Sequence, residues 1–146
     1  TPGRTQQIVM FGLPSGAIVA DLPGYGYAAV PKAVKRVWQD VLATYVATRS
    51  TLVALVLVVD ARHGLKPLDL AMLDGFLPSG RPVMVLATKS DKLTRTESAR
   101  ASAAIRGQLA ERYPGQAARV TVVPFSATAR TGLMEADAIL ARWLAA

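Results

Sequence analysis

Cysteine is absent from all 146 residues, which excludes disulfides, thiolate nucleophiles and thiolate metal sites and fits a reducing compartment. Histidine occurs once, at His63, with no Cys or Glu cluster in the surrounding sequence, so neither a metal centre nor a catalytic triad is read from it. No apolar run reaches the roughly 18 residues needed to span a bilayer. The longest, Leu52 to Val59, stops at Asp60, and the sequence reads as a soluble protein without a membrane partner. The opening Thr1-Pro2-Gly3-Arg4-Thr5-Gln6-Gln7 has no hydrophobic signal core and no initiator Met, so the chain is expected to start inside a longer polypeptide. No G-x-G-x-x-G follows any strand-like run, which disfavours a dinucleotide-binding domain. Internal repeats, low-complexity tracts and interdomain linkers are also missing, and residues 1–146 read as one domain.

What is present suits a folded core. Hydrophobic residues make up 51% of the chain, and a chain of this size buries roughly two thirds of its unfolded surface. The net charge of +7 favours a polyanionic partner, because clustered Lys and Arg displace counterions from phosphates. The basic residues are scattered along the sequence, however, and a solvated basic surface accounts for them equally.

Gln7 to Phe11 and Ala17 to Ala20 flank Leu13-Pro14-Ser15-Gly16, the pattern of a hairpin. After a glycine-rich loop from Asp21 to Tyr27, Val34, Val37, Trp38, Val41, Leu42, Tyr45 and Val46 recur at helical spacing behind Pro31. Leu52 to Val59 is continuous and rich in β-branched residues, as strands buried on both faces of a parallel sheet tend to be. Leu68, Met72, Leu73 and Phe76 predict a helix, and Val83 to Ala87 a second buried strand. Thr94 and Glu97 form a capping box ahead of a helix carrying Ile105, Leu109 and Tyr113, which Pro114-Gly115 ends. Val120 to Phe125 is another strand, and Leu133, Leu140, Trp143 and Leu144 mark a closing helix. This alternation predicts an α/β fold with a parallel sheet, helices on both faces and ligands beyond the carboxyl ends of the strands.

Four segments fall at those ends. Asp21-Leu22-Pro23-Gly24 offers a carboxylate and, three residues on, a glycine N–H that can approach a phosphate, although an ordinary turn has the same residues. Asp60 follows the first buried strand. Thr88-Lys89-Ser90-Asp91 is more specific: a carboxylate can accept two parallel hydrogen bonds from N1–H and the 2-amino group of guanine, neither of which adenine presents. Lys89 can lay its methylene stem over the base. Phe125-Ser126-Ala127 places a small residue whose N–H can donate to guanine O6. Each segment alone is also explained by a solvated loop, but their joint order is not.

Together they resemble the third, fourth and fifth motifs of translation-factor-like P-loop GTPases. Asp21-Leu22-Pro23-Gly24-Tyr25-Gly26-Tyr27, the opening Thr1 to Gln6, Trp38, Asp60-Ala61-Arg62 and Thr88-Lys89-Ser90-Asp91-Lys92-Leu93 narrow the likeness to the EngB family, also called YihA or YsxC. The resemblance runs over essentially the whole chain and implies a three-layer α/β domain, its sheet mostly parallel with one antiparallel edge hairpin. It implies a cytoplasmic, monomeric GTP/GDP switch acting in ribosome assembly on a ribosomal subunit or rRNA, and needed for normal septum formation at division. Thr5 is then the switch-one threonine, its hydroxyl and carbonyl meeting Mg2+ and the γ-phosphate, within an effector loop of Gly3, Arg4, Thr5, Gln6 and Gln7. Asp21 holds Mg2+ through water, and the Gly24 N–H, with Leu22 and Pro23 beside it, senses the γ-phosphate. Tyr25 stands where many GTPases carry a water-orienting Gln, which implies slow turnover and leaves no residue assigned as catalytic. Lys32, Lys35 and Arg36 are either rRNA contacts or a solvated helix face.

The phosphate loop itself, G-x-x-x-x-G-K-[ST], occurs nowhere in the chain. By the resemblance it follows a central first strand upstream of Thr5, so the domain is expected to be N-terminally incomplete, with that strand's neighbours unpaired. The alternative to a GTPase switch is a non-hydrolysing fragment, or an RNA- or protein-binding module unable to hold triphosphate.

Overall fold

A computed structural model describes residues 8–22 and 31–145. Strands β1 (Val9–Gly12) and β2 (Ile18–Asp21) form an antiparallel hairpin, with Val9 opposite Asp21 and Gly12 opposite Ile18. Its turn is closed by the Leu13 N–H on Ala17 O at 2.8 Å and the Gly16 N–H on Leu13 O at 2.9 Å. Helix α1 (Lys32–Thr48) begins directly after Pro31, whose fixed φ and missing N–H suit a helix start. There follow β3 (Leu55–Asp60), α2 (Pro67–Phe76), β4 (Val83–Thr88), α3 (Arg95–Arg112), β5 (Val120–Pro124) and α4 (Leu133–Leu144).

Strands β3, β4 and β5 make a parallel sheet in that spatial order, with Leu55 opposite Val83 and Val83 opposite Val120. One face carries the main core. There Leu42 and Val46 of α1, Met72, Leu73 and Phe76 of α2, and Ile105 and Leu109 of α3 pack on the inward residues of the strands. On the other face Ala136 and Ile139 of α4 pack against Met84 and Val123. Helices α1 and α2 touch closely at Gly75, where a Cβ would lie 2.9 Å from Ala43 O, so a helix-weakening residue stands at that crossing. The capping box of α3 is as expected, with the Glu97 N–H on Thr94 Oγ1 at 3.1 Å and the Thr94 N–H on Glu97 Oε1 at 2.8 Å.

Two expectations need correction. The run from Leu52 does not enter the sheet until Leu55, because Leu52 closes a turn after α1, its N–H on Arg49 O and its carbonyl held by the Arg81 guanidinium. Strand β3 is buried on one face only: Val56 and Val58 are 37% and 58% exposed, since α4 lies over β4 and β5 instead. Among the described residues the hairpin stands as a separate two-stranded sheet, as expected where the strand between it and β3 is lacking. Between it and β3 runs an apolar groove of about 720 Å³, lined by Ile18, Val19, Leu22, Val56, Val58 and Trp143 among others.

Candidate nucleotide site at the strand ends

Parallel pairing brings Asp60, Thr88 and Pro124, the last residues of β3, β4 and β5, to one edge of the sheet. The backbone stitches these ends together. The Ala61 N–H donates to Thr88 O at 2.9 Å, the Phe125 N–H to Ala87 O at 2.8 Å and the Ser90 N–H to Phe125 O at 3.2 Å. Thr88 adds its hydroxyl, which donates to Val59 O at 3.0 Å.

Lys89 takes the left-handed conformation, φ 61°, that turns the chain out of the sheet; Lys rarely adopts it, so neighbours must hold it there. A single 3-10 turn, Ser90–Lys92, follows, with the Lys92 N–H on Lys89 O at 3.0 Å and the Leu93 N–H on Ser90 O at 3.1 Å. Asp91 emerges exposed beside the end of β5. The buried Ser126 hydroxyl donates to Asp91 Oδ1 at 2.9 Å and accepts the Ala129 N–H at 3.1 Å. The loop beyond Ser126 is folded back by the Ser126 N–H on Thr131 O at 3.0 Å. At Gly132, φ +75°, a Cβ would fall 2.1 Å from Pro124 O, so only glycine lets this loop close on the strand. Phe125 is half-buried and Ala127 exposed.

The structure thus brings together Thr88, Lys89, Ser90, Asp91, Phe125, Ser126 and Ala127. Asp21 is exposed at the end of β2 and, with Asp60, borders the apolar groove; Leu22 packs against the main core. Gly3, Arg4, Thr5, Gln6, Gln7, Pro23, Gly24 and Tyr25 lie outside the described residues. Of the two residues implied for Mg2+, only Asp21 is therefore seen, and among the described residues no group of three His, Cys, Asp or Glu side chains comes together to hold a metal.

One part of the site went unassigned in the sequence. Asp60 accepts from Arg62 Nη2 at 2.8 Å, Arg62 Nε at 3.1 Å and the Arg62 N–H at 2.9 Å, with Lys89 Nζ at 3.6 Å. The Arg62 guanidinium holds the Asp60 carboxyl far below the usual carboxylate range, against a smaller opposing effect of burial. Arg62 is held protonated in turn, chiefly by Asp60 and also by the charge of Asp91. The spacing Asp60-Ala61-Arg62 was visible, but the crossing of β3 and β4 that sets Asp60 beside Lys89 was not.

The chain is 49% identical over 144 residues to a probable GTP-binding protein EngB of Azoarcus sp. (strain BH72), covering 99% of this chain and 68% of that protein. It is 48% identical over 149 residues to the EngB of Burkholderia multivorans, with the same coverage, and 46% identical to that of Aromatoleum aromaticum, of which it covers 65%. It spans about two thirds of the length of these relatives. No protein-family profile matches. Among solved structures, elongation factor SelB of Methanococcus maripaludis with the GTP analogue GppNHp aligns at TM-score 0.64 and 21% identity, over 98% of this chain and 29% of SelB. Era bound to MgGDPNP and nucleotides of 16S ribosomal RNA aligns at 0.59 and 20%, over 97% of this chain and 45% of Era. These likenesses establish a P-loop GTPase fold, and with the identities to the curated relatives they show that the chain belongs to the EngB family.

Proposed function

We propose that the protein is a guanine-nucleotide switch that binds GTP and GDP with Mg2+ and acts in ribosome assembly, on a ribosomal subunit or its RNA, and thereby supports septum formation. The observation that carries the base assignment is Asp91: exposed at the sheet edge, fixed from below by Ser126, and free to present its carboxylate to N1–H and the 2-amino group of a guanine. Lys89 covers one face of the base with its stem, and the Ala127 N–H donates to O6. Thr5 and Asp21 hold the metal, which offsets phosphate charge when bound, with Gly3, Arg4, Gln6, Gln7, Pro23 and Gly24 around the phosphates. Tyr25 cannot orient water as Gln does, so turnover is slow. Lys32 and Arg36 are exposed at the start of α1 and can meet RNA phosphates.

The described residues contain no phosphate loop, and the open groove beside β3 supports completion of the domain by a further strand and helix. The same observation favours the second reading for this chain by itself: a module that keeps the base-reading loops but cannot retain triphosphate. Titrating GDP, GTP and ATP with and without the upstream segment separates them, since the switch reading expects guanine-selective, Mg2+-dependent binding only with it. Asp91→Asn tests the base assignment. Inverting one of two hydrogen bonds in a site built for both should cost about 10⁴-fold in GDP affinity. Unchanged affinity would remove Asp91 from the site.

A further inference from the structure

We infer that Asp60 is a positioning residue of the guanine site, acting through Lys89. The inference rests on the guanine reading and adds a residue from a different strand. Register puts Asp60 directly across from Thr88, and the Ala61 N–H on Thr88 O locks the two chain ends at that level. The Asp60 side chain is 11% exposed while that of Lys89 is 58% exposed, so a nearly buried anion pairs with an exposed cation. Asp60 is itself immobilised by three hydrogen bonds from Arg62, and Lys89 Nζ closes on its Oδ2 at 3.6 Å.

A lysine stem has four rotatable bonds and, left free, samples many rotamers; ordering it on binding costs affinity. Tethering its ammonium at the far end confines the methylenes to a narrow path before any base arrives, which is pre-organisation.

A stem lying over a purine ring stacks without reading the Watson–Crick edge, whereas Asp91 reads only that edge. The two roles separate in nucleotide preference. In the full-length gene product, Asp60→Asn should weaken GDP and IDP equally, by about fivefold, the upper range for a partly exposed ion pair. Their ratio should stay at the wild-type value. Lys89→Met, which keeps a stem and removes the charge, should show a similar loss, and the double variant Asp60→Asn/Lys89→Met should lose no more than either.

Wild-type GDP affinity in Asp60→Asn, losses that multiply in the double variant, or a shifted GDP-to-IDP ratio would each overturn the assignment. Should Asp60→Asn fail to fold, Lys89→Arg decides, because arginine can still pair with Asp60. Lys89→Arg should then bind both nucleotides within about twofold of wild type, and a loss equal to that of Lys89→Met overturns the inference. Wild-type protein that does not prefer GDP over ADP would instead sink the guanine reading itself, a result distinct from all of these.

Discussion

Ser126 makes two contacts with one hydroxyl: it donates to Asp91 and accepts from the Ala129 N–H. Ser126→Ala therefore frees the Asp91 carboxylate and leaves a loop N–H without its acceptor. The stability loss should be about 1 kcal/mol, the net worth of a hydrogen bond to a charged group being modest when one side stays solvated. Guanine affinity of the full-length protein should fall more than stability, roughly tenfold, because an Asp91 able to rotate away must be ordered again on binding. Isothermal titration with GDP, alongside urea unfolding, reads the two effects apart; equal GDP affinity in wild type and variant would show that Ser126 only closes the loop. Part of this arrangement was legible in advance. Thr88-Lys89-Ser90-Asp91 and Ser126 were identified from order and spacing, since each follows a strand and parallel strands end together. The link between Asp91 and Ser126, 35 residues apart, was not, because side-chain contacts across a sheet depend on register.

The elements show the same division. Periodicity and caps placed every helix and strand named in advance to within a few residues, because local signals suffice for that: Thr94 and Glu97 for α3, Pro31 for α1, the turn residues Pro14 and Gly16 for the hairpin. What holds α2 to α3 was beyond local signals. The Tyr113 phenol, just past α3, lies 2.7 Å from Asp74 Oδ1 and 3.2 Å from Leu70 O, and Arg112 Nη2 lies 2.9 Å from Asp74 Oδ2. Burial pushes the Tyr113 hydroxyl up to about 12, the Asp74 carboxylate helping and Arg112 opposing. Its folded value exceeds the ordinary value of 10.0, so the phenol's contribution to stability is fully present below pH 10 and is lost as pH rises towards 12. Tyr113→Phe should lower stability by about 1–2 kcal/mol at neutral pH, through loss of the bond to Asp74. It should also flatten the fall in melting temperature between pH 10 and 12, an interval set by the same shift. A variant whose melting temperature falls as steeply as wild type over that interval would place the alkaline transition elsewhere.

For the whole molecule, the feature that separates this chain from a closed α/β domain is the break between the two sheets of the described residues. Apolar residues on β3 alternate between a buried set, Leu55, Leu57 and Val59, and an open set, Val56 and Val58. The open set faces the groove shared with Ile18, Val19 and Trp143. The proposed completion by an upstream segment gives a differential expectation. In the chain alone Val58 is 58% exposed, so Val58→Thr, which keeps the shape and adds a hydroxyl, should change stability by less than about 0.5 kcal/mol. In the full-length protein the same hydroxyl would sit beneath the added segment with no partner, at a cost of about 1–3 kcal/mol. Urea unfolding of both proteins, each with and without Val58→Thr, measures the difference. If the substitution is equally mild in both, the groove stays open in the longer protein, and the proposed completion of the sheet at this place is wrong. A cost confined to the longer protein would tie the closing of the sheet to the completion of the nucleotide site, since Asp21 and Asp60 border the same groove that the segment would fill.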